Sequence, residues 1–473
     1  MINLLKNLLL VVIVVIFNMD VVAGNQCEIK IKIDGNIEDS AVLLASYYGE
    51  KIKIIDTAYA IKQGEFVFLG KEKLPGGIYM IVNMDKKKLF EFIVSSDQKF
   101  TLRTDESNYA LNMKISGSDE NTLFYSYLAY NEKQYKTNKL LLGKIDSIKS
   151  INGDLSYYRS LLDTLNKQTS DYKISIINDN QGTFVSALLN SMRDVEVPDS
   201  IKNSSDSTLP FIYYKQHFWD YINLSDSTLL RSPVFMRKVN QYFDQTVVSH
   251  PDSVIAAIDV VISEARPSQE VVGYLVWYFI SEYQNPEFMG FDKVFVHLVD
   301  EYFSNEYIPN TTPSILTTLQ DRADKIRPIL LYKPAPNLML IDTSGVLRTF
   351  NTIPDDYTVL FFWDSDCGIC TKEIIELKNL YNQHDSSIEI FAINVNSDLE
   401  KWKIAMYEKD VPGINVNGTR SSTKDFHDLY DIYGTPVIYL LDKDKKIIAK
   451  RIGASRISEF IDNYEKQNVI SEQ

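Results

Sequence analysis

Cysteine is nearly missing from this chain, with three residues in 473. The disulfide frameworks that staple small secreted domains use more cysteines at wider spacing, so that architecture is excluded. Histidine is almost as sparse. His217, His250, His297, His384 and His427 are dispersed, with no H-x-x-x-H spacing and no second C-x-x-C, so a four-ligand zinc site has nothing to build on. Positive charge is in deficit too: 49 Lys and Arg stand against 63 Asp and Glu, a net charge of −14 that repels phosphate backbones and anionic lipid headgroups. Nucleic acid is thereby excluded as a partner. What remains, 45% hydrophobic and 24% charged residues, fits a soluble globular chain and excludes disorder, collagen and a polytopic membrane protein. The length suggests about three domains at roughly 150 residues each.

Residues 1–24 read as a secretory signal peptide. Lys6 precedes an apolar run over residues 8–17, and Val21-Val22-Ala23-Gly24 ends the segment as a small-residue cleavage site. The run falls short of the about 20 residues that a membrane-spanning helix needs. The expectation is an exported chain of the periplasm or cell envelope. Gly24 and Gln26 do not suit a lipidated Cys27, which reads as a leftover thiol opening the first strand.

Three architectures follow one another. Over 25–116 the period is two: Ile29, Ile31 and Ile33 alternate with charged residues, and Phe66 and Phe68 flank Val67. Turn signals at Asp34-Gly35, Tyr48-Gly49, Gln63-Gly64, Pro75-Gly76-Gly77 and Met84-Asp85 predict an all-β, sandwich-like domain. The triplet Lys86-Lys87-Lys88 reads as a solvated loop. Over 117–330 the period becomes helical. Val254, Ile255, Ile258, Val261, Ile262 and Ala265 form one apolar face, and prolines at 251, 267, 286 and 313 separate the runs, predicting an all-α domain. From 331 to 473 the pattern is α/β: a buried strand over 358–363, a helix over 371–384, a strand over 388–395, a helix over 399–409, a hairpin of 437–441 with 447–451, and a last helix from Ser455. Such an order predicts a mixed sheet covered on both faces.

The chemistry lies in Trp363-Asp364-Ser365-Asp366-Cys367-Gly368-Ile369-Cys370, a C-x-x-C between a strand and a helix. Free amides and the macrodipole at a helix N-terminus stabilise a thiolate, and a two-residue spacing lets a disulfide open and close across the first turn. Cys367, nearer the helix end, is the expected nucleophile, and Cys370 the resolving thiol. Late in the same domain, Thr435-Pro436 stands directly before a strand.

Taken together, the C-x-x-C and the Thr-Pro resemble the thioredoxin superfamily, and within it the exported thiol-disulfide oxidoreductases of the TlpA/ResA type. The whole chain is similar to multidomain members in which β and helical domains of unassigned function precede the thioredoxin-like one. The resemblance implies that Pro436 is cis and faces the cysteines, with Thr435 before it, where exposed backbone groups pair with the substrate peptide. It implies a redox-active Cys367–Cys370 disulfide with no further cofactor and no metal, client proteins with disulfides or thiol pairs as substrates, and a membrane thiol carrier as electron donor. Homodimerisation through the β domain stays open.

Departures from the family pattern are informative. Phe361 stands where thioredoxin keeps a buried acid, and Ile375 where a proline often kinks the helix. Glu373 matches the glutamate that TlpA/ResA-type proteins place beside the cysteines, and it also reads as an ordinary first-turn acid favoured by the dipole. Asp364, Asp366 and Glu373 put negative charge around the pair, and Gly368-Ile369 offers no histidine to hold a thiolate, so a reducing poise is expected. Two other readings compete with this one. An envelope scaffold carrying a degenerate adaptor has to explain why both cysteines and the Thr-Pro persist. A thiol peroxidase wants Thr or Ser and Pro where Asp364 and Leu360 stand.

Overall fold

The computed structural model describes residues 26–35, 39–151, 153–304, 307–308, 311–383 and 387–471. The signal-peptide reading of 1–24 and His384 lie outside them. The chain divides into two compact units, one running to Asn223 and including Ser227–Val239, the other holding Leu224–Asp226 and everything from Asn240 onward. The helical stretch is therefore shared between them.

The first unit opens with eight strands, β1 (Cys27–Asp34), β2 (Ala41–Tyr48), β3 (Lys51–Tyr59), β4 (Glu65–Gly70), β5 (Gly77–Asn83), β6 (Lys88–Val94), β7 (Lys99–Asp105) and β8 (Lys114–Ser116). They make two four-stranded sheets, ordered β4-β1-β7-β8 and β3-β2-β5-β6. Alternate residues of β1 face the core, as the period-two pattern requires: Cys27, Ile29, Ile31 and Ile33 are buried. Phe92 of one sheet meets Phe100 of the other edge-on at 5.9 Å. The turn signals fall at strand ends, and Gly64 is required there, because at φ +71° any Cβ would strike the Ile33 carbonyl oxygen. Cys27 is buried, and burial pushes its thiol above the usual value, with Asp56 adding to the shift. Lys86, Lys87 and Lys88 are exposed.

Helices α1 (Asp119–Lys149) and α2 (Ser156–Asp179) follow, then α3 (Phe184–Ser191), α4 (Asp199–Lys202), α5 (Leu209–Gln216) and α6 (Ser227–Leu230), while α7 (Pro233–Thr246) passes from one unit into the other. Ser118 caps α1, and buried Asn121 exchanges two hydrogen bonds with the backbone of Ile93 (2.8 and 2.7 Å), fixing α1 to β6.

The second unit continues with α8 (Pro251–Ala265), α9 (Gln269–Tyr283), α10 (Asp292–Tyr302) and α11 (Pro313–Ile326). Pro251 and Pro313 sit in the first turns of their helices, where no N–H is missed. The predicted apolar face of α8 is inward, with Val254, Ile258, Val261, Ile262 and Ala265 buried.

The C-terminal domain is a seven-stranded mixed sheet, β10-β9-β13-β12-β11-β14-β15. Its strands are β9 (Met339–Asp342), β10 (Leu347–Thr349), β11 (Tyr357–Trp363), β12 (Ile388–Asn394), β13 (Ile414–Ser421), β14 (Val437–Leu441) and β15 (Ile447–Lys450). The helices are α12 (Gly368–Gln383), α13 (Leu399–Lys409), α14 (Phe426–Tyr430) and α15 (Ile457–Ser471). β11 is parallel to β12 and antiparallel to β14, and all seven of its residues are buried. Val359, Phe361 and Trp363 enter a core with α12, α13 and α15, while Leu360 and Phe362 enter another with Phe350, Phe426 and Tyr430. Both faces are covered, as expected. Three strands, β9, β10 and β13, add to the four read from the sequence. Helix α12 begins at Gly368 rather than Thr371, which puts Cys370 inside its first turn.

Candidate active site

β11 ends at Trp363 in the core, and the chain turns through Asp364, Ser365 and Asp366 before α12 begins. The Asp364 carboxylate accepts the N–H of Asp366 (2.9 Å), and its carbonyl accepts the N–H of Cys367 (3.2 Å). The turn delivers Cys367 to the position immediately before α12. There it is disulfide-bonded to Cys370, with Cα atoms 5.2 Å apart. Cys367 is half-buried, whereas Cys370 is 0% exposed. The Cys370 N–H donates to Cys367 Sγ at 3.0 Å, so the sulfur acts as the capping acceptor for a helix end whose amides otherwise lack partners.

Across from the pair, the Thr435 carbonyl oxygen lies 3.5 Å from Cys367 Sγ. The Thr435–Pro436 peptide bond is cis and leads directly into β14. Ile369, between the two cysteines in sequence, and Tyr433, two residues before Thr435, are both exposed. One attackable sulfur, a buried second sulfur, a free main-chain acceptor and apolar surface suit thiol–disulfide exchange with a polypeptide.

Glu373 is half-buried on α12, and its Oε2 accepts the N–H of Ala454 at 2.7 Å, the residue opening the 3₁₀ turn Ala454–Arg456. Its carboxylate thus joins α12 to the segment before α15.

The expected ring of bare negative charge needs correction. Asp366 is paired with Lys401 of α13 at 2.6 Å, and the hydrogen bond to Asp366 holds the Lys401 ammonium above its usual value. Asp364 accepts from the Asn396 amide (3.1 Å), and Lys409 donates to the Ser365 carbonyl (2.9 Å) with its ammonium 6.0 Å from the Trp363 ring centre. Lys401 and Lys409 were not singled out in the sequence, nor were three buried or half-buried amides that frame the turn. Asn394 donates to Ser365 Oγ (3.2 Å) and accepts the N–H of Asn396 (3.0 Å), and Asn417 donates to the Asn396 carbonyl (3.0 Å). The one local signal for them was asparagine closing an apolar strand.

Comparison with known proteins places this domain. Residues 331–450 match the AhpC/TSA family, and residues 27–124 and 162–326 match two domains of unknown function, DUF4369 and DUF5106. Among relatives, the thiol-disulfide oxidoreductase ResA of Bacillus subtilis is 28% identical over 116 residues, 24% of this chain; the chain spans 63% of the length of that protein. ResA of Bacillus cereus is 27% identical over 28% of this chain and 74% of its own length. Among solved structures, a domain of a possible thiol-disulfide isomerase from Cytophaga hutchinsonii is 41% identical, covering 30% of this chain and 98% of that one, with a TM-score of 0.29. A thioredoxin-like protein from Bacteroides caccae is 19% identical, covering 57% and 96%, with a TM-score of 0.44. The C-terminal domain is thioredoxin-like, and its relatives are thiol-disulfide oxidoreductases.

Proposed function

We propose that this protein is an exported thiol-disulfide oxidoreductase that reduces disulfides of client proteins through Cys367 and Cys370. The observation carrying this reading is the asymmetry of the pair, with Cys367 half-exposed at the N-terminus of α12 and Cys370 sealed behind it. In the reduced enzyme the Cys367 thiolate attacks a client disulfide; a bond forms between the two sulfurs and one client thiolate leaves. Cys370 loses its proton and attacks Cys367 Sγ, releasing the second client thiolate and closing the Cys367–Cys370 disulfide. Two electrons pass to the client. A dithiol carrier in the membrane returns the enzyme to its reduced form by the reverse exchange.

Thr435 and Pro436 border the sulfur and offer the client backbone an acceptor; Glu373 acts through α12 by tying it to Ala454. The dithiol is its own redox group, without an organic cofactor or metal. A reducing direction is favoured because Gly368-Ile369 carries no cation for the thiolate and Asp364 is met by an amide rather than an ammonium.

Trapping tests the proposal. A Cys370→Ser protein, expressed with its natural envelope, should accumulate mixed disulfides through Cys367, and Cys367→Ser should accumulate far fewer. Absence of adducts from both would favour the scaffold. A potential near the thioredoxin value of about −270 mV fits a reductase, and one near about −120 mV an oxidant.

A further inference from the structure

Strand β3 closes the β3-β2-β5-β6 sheet, and among the described residues it pairs on one side only, with β2. Of its nine residues, only Ala58 is buried. Ile52, Ile54, Ile55 and Tyr59 all face solvent, Ile54 at 60% exposure. A sheet edge of unpaired main-chain groups, lined by residues that favour strands, is a template for another strand. Folds usually shorten such an edge or break it with proline, and β3 is neither short nor broken.

Two other guards are present, lysine and a bulge, and their placement decides what the edge admits. Asp56 stands opposite Leu44 and Ile54 opposite Ala45, so Ile55 is the extra residue and the alternation of faces shifts by one across it. Lys53 and Asp56 therefore share one face of the sheet, alongside Ser46 and Leu44. Ile52, Ile54 and Thr57 share the other, alongside Tyr47, Ala45 and Leu43. The Lys53 ammonium lies over the Tyr48 ring, 3.3 Å from its centre, and the Asp56 carboxylate accepts the N–H of Thr57 (2.7 Å), so both charges are held at the strand. A strand with its cation before the centre and its acid behind it is complementary to itself when reversed.

We propose that β3 pairs antiparallel with β3 of a second copy, about a two-fold axis between Ile54 and Ile55, joining two four-stranded sheets into one. Ile54 of each copy then stands opposite Ile55 of the other, Lys53 opposite Asp56, and Ile52 opposite Thr57. The bulge makes this register work: the two outer pairs match face with face, whereas in an unbulged strand each would set its side chains on opposite faces. Sliding one copy by a single residue mismatches the faces again. Sliding by two sets Lys53 against Ile54 or Asp56 against Ile55, and the Lys53–Asp56 pairs are lost. An unrelated strand without an acid in that place meets bare lysines, so the residues that guard the edge also select its partner. The pairing does not depend on the dithiol chemistry.

Sedimentation equilibrium of the chain lacking residues 1–24 tests this, and a reversible dimer is expected. Ile54→Lys, which sets a charge beside the axis in both copies, should leave a monomer with the circular dichroism melt of the wild type. Lys53→Glu faces Asp56 with a like charge at both symmetric pairs and should weaken the dimer by at least about tenfold. Adding Asp56→Lys reverses both pairs and should return the affinity to within about threefold of wild type. A wild-type protein still monomeric at about 100 μM, a dimer that Ile54→Lys leaves intact, or a Lys53→Glu defect that Asp56→Lys does not relieve would each overturn the proposal. A monomeric wild type that reduces insulin disulfides faster than Ile54→Lys does would assign the edge to client chains instead.

Discussion

The main-chain N–H of Cys370 points at the sulfur of Cys367 and donates to it across 3.0 Å. The amide belongs to the first turn of α12, so the helix end and the hydrogen bond both favour negative charge on the outer sulfur. After reduction, a limiting dose of iodoacetamide is expected to label Cys367 and leave Cys370 untouched, read by peptide mass spectrometry. Comparable labelling of both would contradict the division of roles.

Lys401 neutralises Asp366, one residue before Cys367. Removing it leaves an unpaired acid next to Cys367 in sequence, which disfavours a thiolate there, destabilises the reduced form and drives the potential more negative. The pair is exposed, so the effect is small: Lys401→Ala should shift the potential by no more than about 20 mV, from about 1 kcal/mol for a surface pair. Equilibration with dithiothreitol buffers measures it, and added salt should shrink it. A shift to less negative values would reverse this account.

Asp342 closes the β9–β10 turn. Burial opposes its ionisation, but hydrogen bonds from Ser344, Arg348 and Val346 outweigh that and hold its carboxyl well below the usual range. A depressed folded-state value adds stability that is complete above the unfolded value of about 3.9 and is lost as pH falls toward the folded one. Asp342→Ala should cost about 1–3 kcal/mol at neutral pH and flatten the acid limb of the stability curve. Urea unfolding followed by fluorescence in a Trp219→Phe, Trp277→Phe background, where Trp363 and Trp402 remain, reports on this domain.

Lys450 and Asp292 form a pair with both side chains largely buried. Lys450→Met strands a buried carboxylate and should destabilise the second unit by about 3–5 kcal/mol, whereas adding Asp292→Leu should recover most of the loss. Thermal denaturation of the two variants decides it; a double variant as unstable as the single would show that packing, not charge, sets the cost.

The sequence was readable where local pattern and local structure coincide. Helix α13 occupies Leu399–Lys409 as its apolar spacing and Asp398 cap require, and the strand turns fall at their Gly signals. Strand β13 was missed because Ile-Asn-Val-Asn-Gly-Thr-Arg-Ser lacks the apolar run of an interior parallel strand; Asn415 and Asn417 spend their amides on nearby carbonyls instead. The cysteine pair was legible for a similar reason, since its spacing is its chemistry. Its electrostatics were not. The cation answering Asp366 is 35 residues away, and the one bound to Ser365 is 44 away, so acids adjacent in sequence looked barer than they are.

Three thiols allow three single disulfides, and two of those would bind the sandwich covalently to the redox helix. Cys27 is shut in the β-sheet core, so the folded protein offers it to neither partner. The competition exists only before folding is complete. Cys27 precedes Cys367 by roughly 340 residues. In a chain that emerges N-terminus first, the sandwich can close over its thiol before the later cysteines follow, so chain order favours the Cys367–Cys370 pair.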